Sequence, residues 1–424
     1  MKRILICLSI CFGLSSHAAE WTQFRGADGN GVSTEKNLPV KWSKDSNVKW
    51  RVELPGRANS SPAVSKDRVV VTTQMKDSSL WILSYSTSGK LLKKIRVGAG
   101  KLAAKGSANL YAHRHNPATP TPIVDKDHIW AFFGTGLLVC VSSEAGDIKW
   151  KKDLTKLYGA YDITFGFGSS PRLWKDLLIV HSMTKGPSYI AAFNKTTGEK
   201  VWFHKRKLPA KFDGPDAYST PSIAKLGGRE VLLISGSDHV TAHDPRTGKQ
   251  LWISGGLTIN SHYGRVIASP TGADDVVIAT TANPGGKGLG RVIAINGVGK
   301  GNITKSNRLW TQEKSTPDSS TPVCYKGRVY LLSDQGIATC LELKTGKQLW
   351  RKRVGMGPYH ASLVAGDDKI YFMSTTGDCT VVQADDEGTI LSKNTLPGGN
   401  FYSTPAISNG RIYIRSYGEL FAIE

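Results

Sequence analysis

Apolar residues in this chain recur in short runs separated by turn residues, and no stretch has the period of a long amphipathic helix. The segment GRVYLLSDQGIATCLEL, which begins at Gly327, contains two such runs on either side of a polar turn. Short runs spaced in this way are typical of two strands joined by a tight turn. The pattern predicts an all-β chain built largely from hairpins.

A phrase that ends in tryptophan follows these hairpins. RTGKQLW begins at Arg246, and KTGKQLW repeats it from Lys344. Its glycine can adopt the positive φ angle of a tight turn, so the phrase predicts the turn into an outer strand. Further copies are AFNKTTGEKVW from Ala192, CVSSEAGDIKW from Cys140, weaker forms around Gly89 and Gly388, and a stretched form from Ala294 to Trp310.

A second phrase, usually a Ser or Thr followed by proline, precedes each copy. Its eight occurrences begin at Ser60, Pro120, Ser169, Ser219, Ala268, Ser320, Ala361 and Ser403. The two phrases delimit units of four short strands, and such units repeated at roughly 40 to 60 residues are the signature of a β-propeller. We therefore expect an eight-bladed β-propeller of four-stranded antiparallel blades.

The two ends of the chain complement each other. The last unit stops at LFAIE, before its outer strand, and the missing strand is found near the N-terminus as NVKWRVELPG. Pairing the two would remove an exposed sheet edge. We predict a propeller at 48–424, closed by this N-terminal strand in the last blade, and an N-terminal extension at 19–47.

Residues 1–18 are predicted to be a secretory signal peptide. Lys2 and Arg3 precede an apolar run, and small residues lead up to Ala19. We expect cleavage near Ala18/Ala19 and a periplasmic or secreted protein. A lipid anchor at Cys11 is disfavoured by the bulky Ile10, and no other stretch is apolar and long enough to span a membrane.

Four cysteines remain outside the signal: Cys140, Cys324, Cys340 and Cys379. Cys140 and Cys340 occupy equivalent strands of opposite blades, while Cys324 and Cys340 lie on strands with another between them. Both separations exceed what a disulfide bridges. We expect four buried free thiols.

The formal net charge of the whole chain is +21. For an exported protein this indicates contact with an anionic polysaccharide, lipid head groups or acidic protein patches. The alternative is that the lysines lie in turns and serve only solubility. No nucleic-acid motif is present.

The pattern Ala-x-Asp/Asn-x-x-Thr-Gly-x-x-x-Trp, complete at Ala192–Trp202 and Ala242–Trp252, resembles the tryptophan-docking repeat of the pyrroloquinoline quinone (PQQ) propeller superfamily. That superfamily includes quinoprotein dehydrogenases and BamB-type propellers. The likeness runs from about Trp50 to Glu424, and WTQFRGADGNG resembles the opening of secreted PQQ-like repeat proteins. It implies a blade-docking role for Trp50, Trp150, Trp202, Trp252, Trp310 and Trp350.

The same resemblance implies what a quinoprotein dehydrogenase needs: PQQ over a tryptophan floor, a calcium ion, an aspartate base and often an adjacent Cys-Cys pair. The sequence has no such pair and no haem-attachment motif. The carboxylates of Asp162, Asp213 and Asp216 have no diagnostic spacing. We therefore expect no cofactor and no catalytic residue, with PQQ and calcium as the alternative.

Loops that lead into the inner strands are the candidate binding surface, because they surround one mouth of the channel. They are longest at blades 2 to 5 and rich in Tyr, His and Arg, which are typical of recognition surfaces. We assign Phe165 and Phe167 to packing. The candidate binding residues are Tyr111, His113, Arg114, His115, Asn116, Tyr158, Asp162, Tyr218, His262, Arg265, Tyr359, His360 and Tyr402.

Two short segments contain residue types that bind metal ions. His113 and His115 could bind zinc with His262 or His360, but two ligands on one loop make a weak motif. The DGNG segment at Asp28 is better explained by a turn than by a calcium loop. We expect no metal.

These observations favour an exported, monomeric, non-catalytic binding or scaffold propeller of the cell envelope. Its loop face would dock a protein or an anionic glycan partner, and a carbohydrate-binding role fits equally well. The alternative is a PQQ- and calcium-dependent quinoprotein dehydrogenase of alcohols or sugars.

Overall fold

A computed structural model describes residues 20–102, 114–283 and 288–424. Its strands form eight antiparallel sheets of four strands, one of which gains a short fifth strand. The predicted eight-bladed propeller is therefore confirmed.

In each of the first four blades, the chain forms the innermost strand first and the outermost strand last. Blade 1 contains β2 (Ala63–Val64), β3 (Arg68–Gln74), β4 (Ser79–Ser86) and β5 (Leu91–Ala99). Blade 2 contains β6 (Ile123–Val124), β7 (His128–Phe132), β8 (Leu137–Ser142) and β9 (Ile148–Asp153), and is followed by helix α1 (Leu154–Tyr158). Blade 3 contains β10 (Arg172–Trp174), β11 (Leu177–Ser182), β12 (Tyr189–Asn194) and β13 (Lys200–Lys205). Blade 4 contains β14 (Ser222–Leu226), β15 (Arg229–Gly236), β16 (His239–His243) and β17 (Gln250–Ser254), with β21 (Gly301–Asn302) added parallel to β17.

The other four blades have the same order. Blade 5 contains β18 (Thr271–Ala273), β19 (Val276–Thr280), β20 (Val292–Asn296) and β22 (Arg308–Gln312). Blade 6 contains β23 (Val323–Tyr325), β24 (Arg328–Leu332), β25 (Ile337–Glu342) and β26 (Gln348–Arg353). Blade 7 contains β27 (Val364–Gly366), β28 (Lys369–Met373), β29 (Asp378–Gln383) and β30 (Ile390–Thr395). Blade 8 contains β31 (Ala406–Ser408), β32 (Arg411–Arg415), β33 (Glu419–Ile423) and, outermost, β1 (Val48–Glu53).

The pairing of β1 with β33 closes the ring, as predicted. The two strands are antiparallel, and Trp50 lies opposite Ala422. The N-terminal strand thus supplies the outer strand that the last repeat lacks, and no blade is left with three strands.

In its full form, such as Ala242–Trp252, the repeated phrase forms the outer hairpin of its blade, whereas the outer strand of blade 8 is β1. Its first residue pairs with its closing tryptophan, as in Ala242 with Trp252 and Cys340 with Trp350, and a β-bulge follows directly. The bulge increases the local twist of the outer strand. This register explains why the phrase has a constant length in most copies.

The closing tryptophans join neighbouring blades. Each of the six donates its indole N–H to a backbone carbonyl in the next blade, at 2.8 to 3.3 Å. In blade 7 the corresponding position is Ser392, and Trp42 of the N-terminal extension packs beside this blade against Tyr371. The backbone N–H of Trp42 donates to Asn394 at 2.9 Å.

The N-terminal extension crosses the end of the ring opposite the loop face. Hydrogen bonds connect it to seven blades in turn: Trp21 to Val64, Thr22 to Val124, Gln23 to Leu173, Asp28 to Ile223, Arg25 to Pro322, Gly31 to Ala365 and Glu35 to Asn409. The extension therefore covers one end of the central channel.

The four cysteines outside the predicted signal are free and buried, as expected. Burial raises the pKa of all four thiols, so they remain protonated at neutral pH. In the described part of the chain, no helix has the length and apolar character needed to cross a membrane.

Candidate functional site

A cavity of about 850 Å³ occupies the ring axis above the N-terminal extension. Its wall contains one hydroxyl residue from each blade, located just before the innermost strand. All eight are at least nine-tenths buried. They are Ser61, Thr121, Ser170, Thr220, Ser269, Thr321, Ser362 and Thr404.

These eight residues, which we call the hydroxyl ring, are linked by a closed circle of hydrogen bonds. The backbone N–H of each member donates to the side-chain oxygen of the member in the next blade, at 2.8 to 3.2 Å. The last bond joins Thr404 to Ser61 at 3.0 Å and so closes the circle across the chain ends. The Ser/Thr phrase of the sequence is thus the contact between innermost strands.

The floor of the cavity comes from the N-terminal extension. Phe24 lines the cavity, and the adjacent Arg25 is fully buried. Arg25 donates to carbonyls of the extension itself and of blades 6 and 7, including Leu363 at 2.6 Å. Arg172, from blade 3, donates to Phe24 at 2.9 Å. These two arginines hold the floor against opposite sides of the ring.

Burial lowers the pKa of Arg25 to about 9 and that of Arg172 to about 10. Both guanidinium groups therefore stay charged at neutral pH. Within the described residues, both side chains donate their hydrogen bonds to backbone carbonyls. Carbonyl dipoles satisfy the donors without cancelling the charge, while the nearby carboxylate of Asp28 offsets part of the charge of Arg172.

The mouth carries two more arginines, Arg114 and Arg265. The guanidinium of Arg265 lies over the ring of Phe165 at 4.5 Å and pairs with Asp213 at 3.3 Å. Phe165, which we had assigned to packing, lines the cavity, whereas Phe167 is buried beneath it against Tyr161.

A polar cluster lies on the blade 5 to 7 side of the mouth. The Asp318 backbone N–H donates to Asp334 at 3.1 Å, and Asp334 lies 3.4 Å from His360 Nδ1. Burial raises the pKa of Asp334 to about 7 and lowers that of His360 to about 4. Between these pH values both groups favour their neutral forms, so their contact is a weak neutral one rather than an ion pair.

This cluster does not form a nucleophile relay. Ser319 Oγ lies 3.0 Å from His360 Nδ1, the same nitrogen that faces Asp334. In a relay, the carboxylate and the nucleophile contact opposite nitrogens of the imidazole. Tyr402 stacks against the ring of His360, with ring centroids 5.5 Å apart.

Six of the candidate binding residues meet at the cavity: Arg114, His115, Tyr218, Arg265, His360 and Tyr402. They come from five separate loops of the chain. Tyr111 and His113 lie outside the described residues.

The other candidates are placed elsewhere. Tyr158 packs between aromatic rings, Tyr359 is buried, and Asn116 donates to the backbone of Arg57. Asp162 joins an isolated bridge to Gly186, and His262 packs against Phe212. None of these five lines the cavity.

Sequence reasoning missed the hydroxyl ring, Phe24 and Asp318. The Ser/Thr phrase contained the signal for the ring, because a hydroxyl residue stands before the same strand in every unit. We used it only to count blades. Phe24 and Asp318 carry no repeat signal.

The cavity does not fit the cofactor site that the PQQ resemblance implies. No tryptophan is among the described residues that line it, and its floor is Phe24. Nor does the described part of the chain contain three or more His, Cys, Asp or Glu residues grouped so as to hold a metal ion. We derive no chemistry through PQQ or calcium.

The fold is shared with proteins of different activities. BamB from Moraxella catarrhalis superimposes with a TM-score of 0.64 at 15% identity, covering 88% of this chain and 98% of that one. A europium-containing methanol dehydrogenase gives 0.70 at 11% identity, covering 95% and 90%. The quinohemoprotein alcohol dehydrogenase of Comamonas testosteroni gives 0.69 at 12% identity, covering 95% and 80%. At these identities the likeness shows the fold alone.

Two sequence comparisons show which family the chain belongs to. Tetrathionate hydrolase of Acidithiobacillus ferrooxidans is 24% identical over 180 residues, which are 40% of this chain and 36% of the enzyme, so the match spans only about a third of that relative. A family model described as outer membrane protein assembly factor BamB matches residues 108–352 and 335–424, more than half of the chain. The chain therefore belongs to the BamB family of PQQ-like β-propellers.

Proposed function

We propose that this protein is an exported, non-catalytic binding module of the cell envelope. Its loop face docks a partner, either a protein or an anionic glycan, and the propeller serves as a rigid support. One observation carries the proposal: exposed apolar side chains and arginines meet at the rim of a deep axial cavity.

The rim patch consists of Phe212, Tyr263 and Leu289. Their exposed fractions are 46%, 59% and 42%. Tyr263 and Leu289 also line the cavity, next to Arg265. Aromatic residues and arginine beside a concave pocket are typical of the energetic centre of an interface. Blades 4 and 5 are therefore our proposed contact region.

The overall charge supports an acidic partner. A net charge of +21 draws anionic surfaces toward the protein and accelerates their encounter with it. BamB family membership agrees with an assembly role, since the family description refers to outer membrane protein assembly.

A photo-crosslinking experiment tests the proposal. A photoreactive amino acid replaces Tyr263, and in a matched control it replaces Leu91, an exposed apolar residue on an outer strand (47%). In intact cells we expect a discrete crosslinked species from position 263 and none from position 91. Equal or absent crosslinking at both positions, with the protein folded and exported, would reject the loop face as the docking surface.

The quinoprotein alternative has its own test. The purified protein is titrated with PQQ and Ca²⁺ while tryptophan fluorescence is followed, and dye-linked oxidation of alcohols and sugars is assayed on the same sample. Saturable binding with turnover would establish the dehydrogenase and refute the non-catalytic proposal. We expect neither.

A further inference from the structure

The hydroxyl ring leaves eight donors facing the cavity. Each oxygen accepts one backbone N–H. A hydroxyl has one proton to donate besides the lone pairs with which it accepts. Within the described residues, no hydrogen bond uses any of the eight hydroxyl protons. They are therefore free to donate to a molecule in the cavity.

At three of the eight positions, the residue before the ring member is a serine that behaves differently. The hydroxyls of Ser219, Ser320 and Ser403 donate to backbone carbonyls at 2.5 to 2.8 Å. These serines complete the structure, and their protons are used. In these three dipeptides, therefore, the first hydroxyl proton is used within the fold and the second, at the cavity, is not.

Charge in the surroundings favours an acceptor with negative charge. Arg114 and Arg265 flank the entrance, and Arg25 and Arg172 in the floor donate their hydrogen bonds to backbone carbonyls. Asp318 also lines the cavity. Burial raises its pKa, because desolvation disfavours the charged form of a carboxyl group.

We propose that the axial cavity is a binding site for an oxyanion group, a carboxylate, sulfate or phosphate, held by donors of the hydroxyl ring and by Arg265. An oxyanion accepts several hydrogen bonds at once, which a circle of donors can supply. A volume of about 850 Å³ exceeds that of a bare inorganic ion, so the anionic group belongs to a larger molecule.

This inference rests on the proposed function, because it specifies the chemistry of the group that enters from the loop face. The group has two sources, a uronate of an acidic glycan or a carboxylate of a peptide. Free anions can nevertheless be titrated without any partner. Failure of anion binding and failure of partner crosslinking are therefore distinguishable.

Isothermal titration calorimetry at constant ionic strength, balanced with chloride, provides the test. Three arms use sodium sulfate, glucuronate and a short glutamate-rich peptide. We expect saturable binding of sulfate at one site. Either glucuronate or the peptide should bind more tightly than sulfate, and the tighter of the two identifies the natural source of the anionic group. Binding that does not saturate, or that chloride suppresses completely, overturns the site.

Two pairs of variants locate the binding. Arg265→Gln should weaken it about tenfold or more, as expected for loss of a charge-assisted hydrogen bond. Arg246→Gln, which removes the same charge from an exposed turn, should leave it within about twofold of the wild type. Equal loss in both variants would mean that only the general positive field attracts anions.

The second pair addresses the ring itself. Thr220→Val removes one hydroxyl while keeping its shape, and Thr220→Ser retains the hydroxyl. Weaker binding in the valine variant alone supports the ring, whereas unchanged binding in a folded valine variant contradicts it. Circular dichroism checks folding, and the Arg265 pair remains decisive if the valine variant does not fold.

Discussion

The contact between a tryptophan and the turn of the next blade can be tested by adding one methyl group. Gly388 has a φ of +63°, and a Cβ there would lie 2.3 Å from Trp350 Cε2. Trp350 is 6% exposed, and its indole N–H donates to Asp385 at 3.2 Å. Gly388→Ala must therefore displace the indole.

Gly327→Ala is a matched control. Gly327 has a φ of +71°, but a Cβ there would meet nothing within 4 Å. Both variants impose a left-handed backbone on alanine, at a cost of about 1 kcal/mol. Only Gly388→Ala adds overpacking, about 1 to 3 kcal/mol, and the lost hydrogen bond, about 1 kcal/mol.

We expect Gly388→Ala to lose about 3 to 5 kcal/mol of unfolding free energy and Gly327→Ala about 1 kcal/mol. With a urea m-value of about 3 kcal/mol/M, the two midpoints should differ by about 1 M. Far-UV circular dichroism measures the midpoints without relying on tryptophan emission. Coincident midpoints with equal m-values would refute the idea that this docking contact stabilises the ring.

The floor and the buried histidines give two further predictions. Arg25→Met should lower the free energy of unfolding by about 3 kcal/mol or more, because it leaves several buried carbonyls without donors, whereas Lys44→Met on the exposed part of the extension should change it by less than about 0.5 kcal/mol. A urea midpoint for Arg25→Met equal to that of Lys44→Met would contradict a stabilising floor. Burial lowers the pKa of both His181 and His243 to about 3, so the unfolded chain takes up their protons first and stability falls as pH decreases from about 6.5 toward 3. His243→Gln should reduce this slope by up to about 1.4 kcal/mol per pH unit in urea titrations, and a slope equal to that of the wild type would show that His243 is protonated in the folded state.

The architecture could be predicted because short sequence patterns that specify local structure are repeated along the chain. Strand periodicity, the turn glycine and the closing tryptophan recur in nearly every unit, so each copy supports the others. The free thiols followed from the same register, since it places Cys140 and Cys340 on corresponding strands of opposite blades. Closure by β1 followed because the last repeat lacks one strand.

The site depends on contacts between blades, which leave little trace in a single unit. Arg114, Arg265 and His360 are far apart in the chain and meet only because ring closure brings their loops to one mouth. Tyr158 and Tyr359 are similar residues in similar loops, yet Tyr158 packs against Phe203 and Tyr359 is buried. Composition cannot separate the two groups, because exposure is decided by how neighbouring loops lie against each other.

The N-terminal extension shows the same division most clearly. The sequence alone determined that a short segment precedes the ring and that the following strand completes it. Only the tertiary structure decided that Phe24 enters the channel, that Arg25 bonds to blades 6 and 7, and that Trp42 packs where blade 7 lacks its tryptophan. The physical reason is that a repeat encodes its own hairpins through local propensity, whereas a non-repeated segment finds its place only against surfaces that exist after the ring has closed.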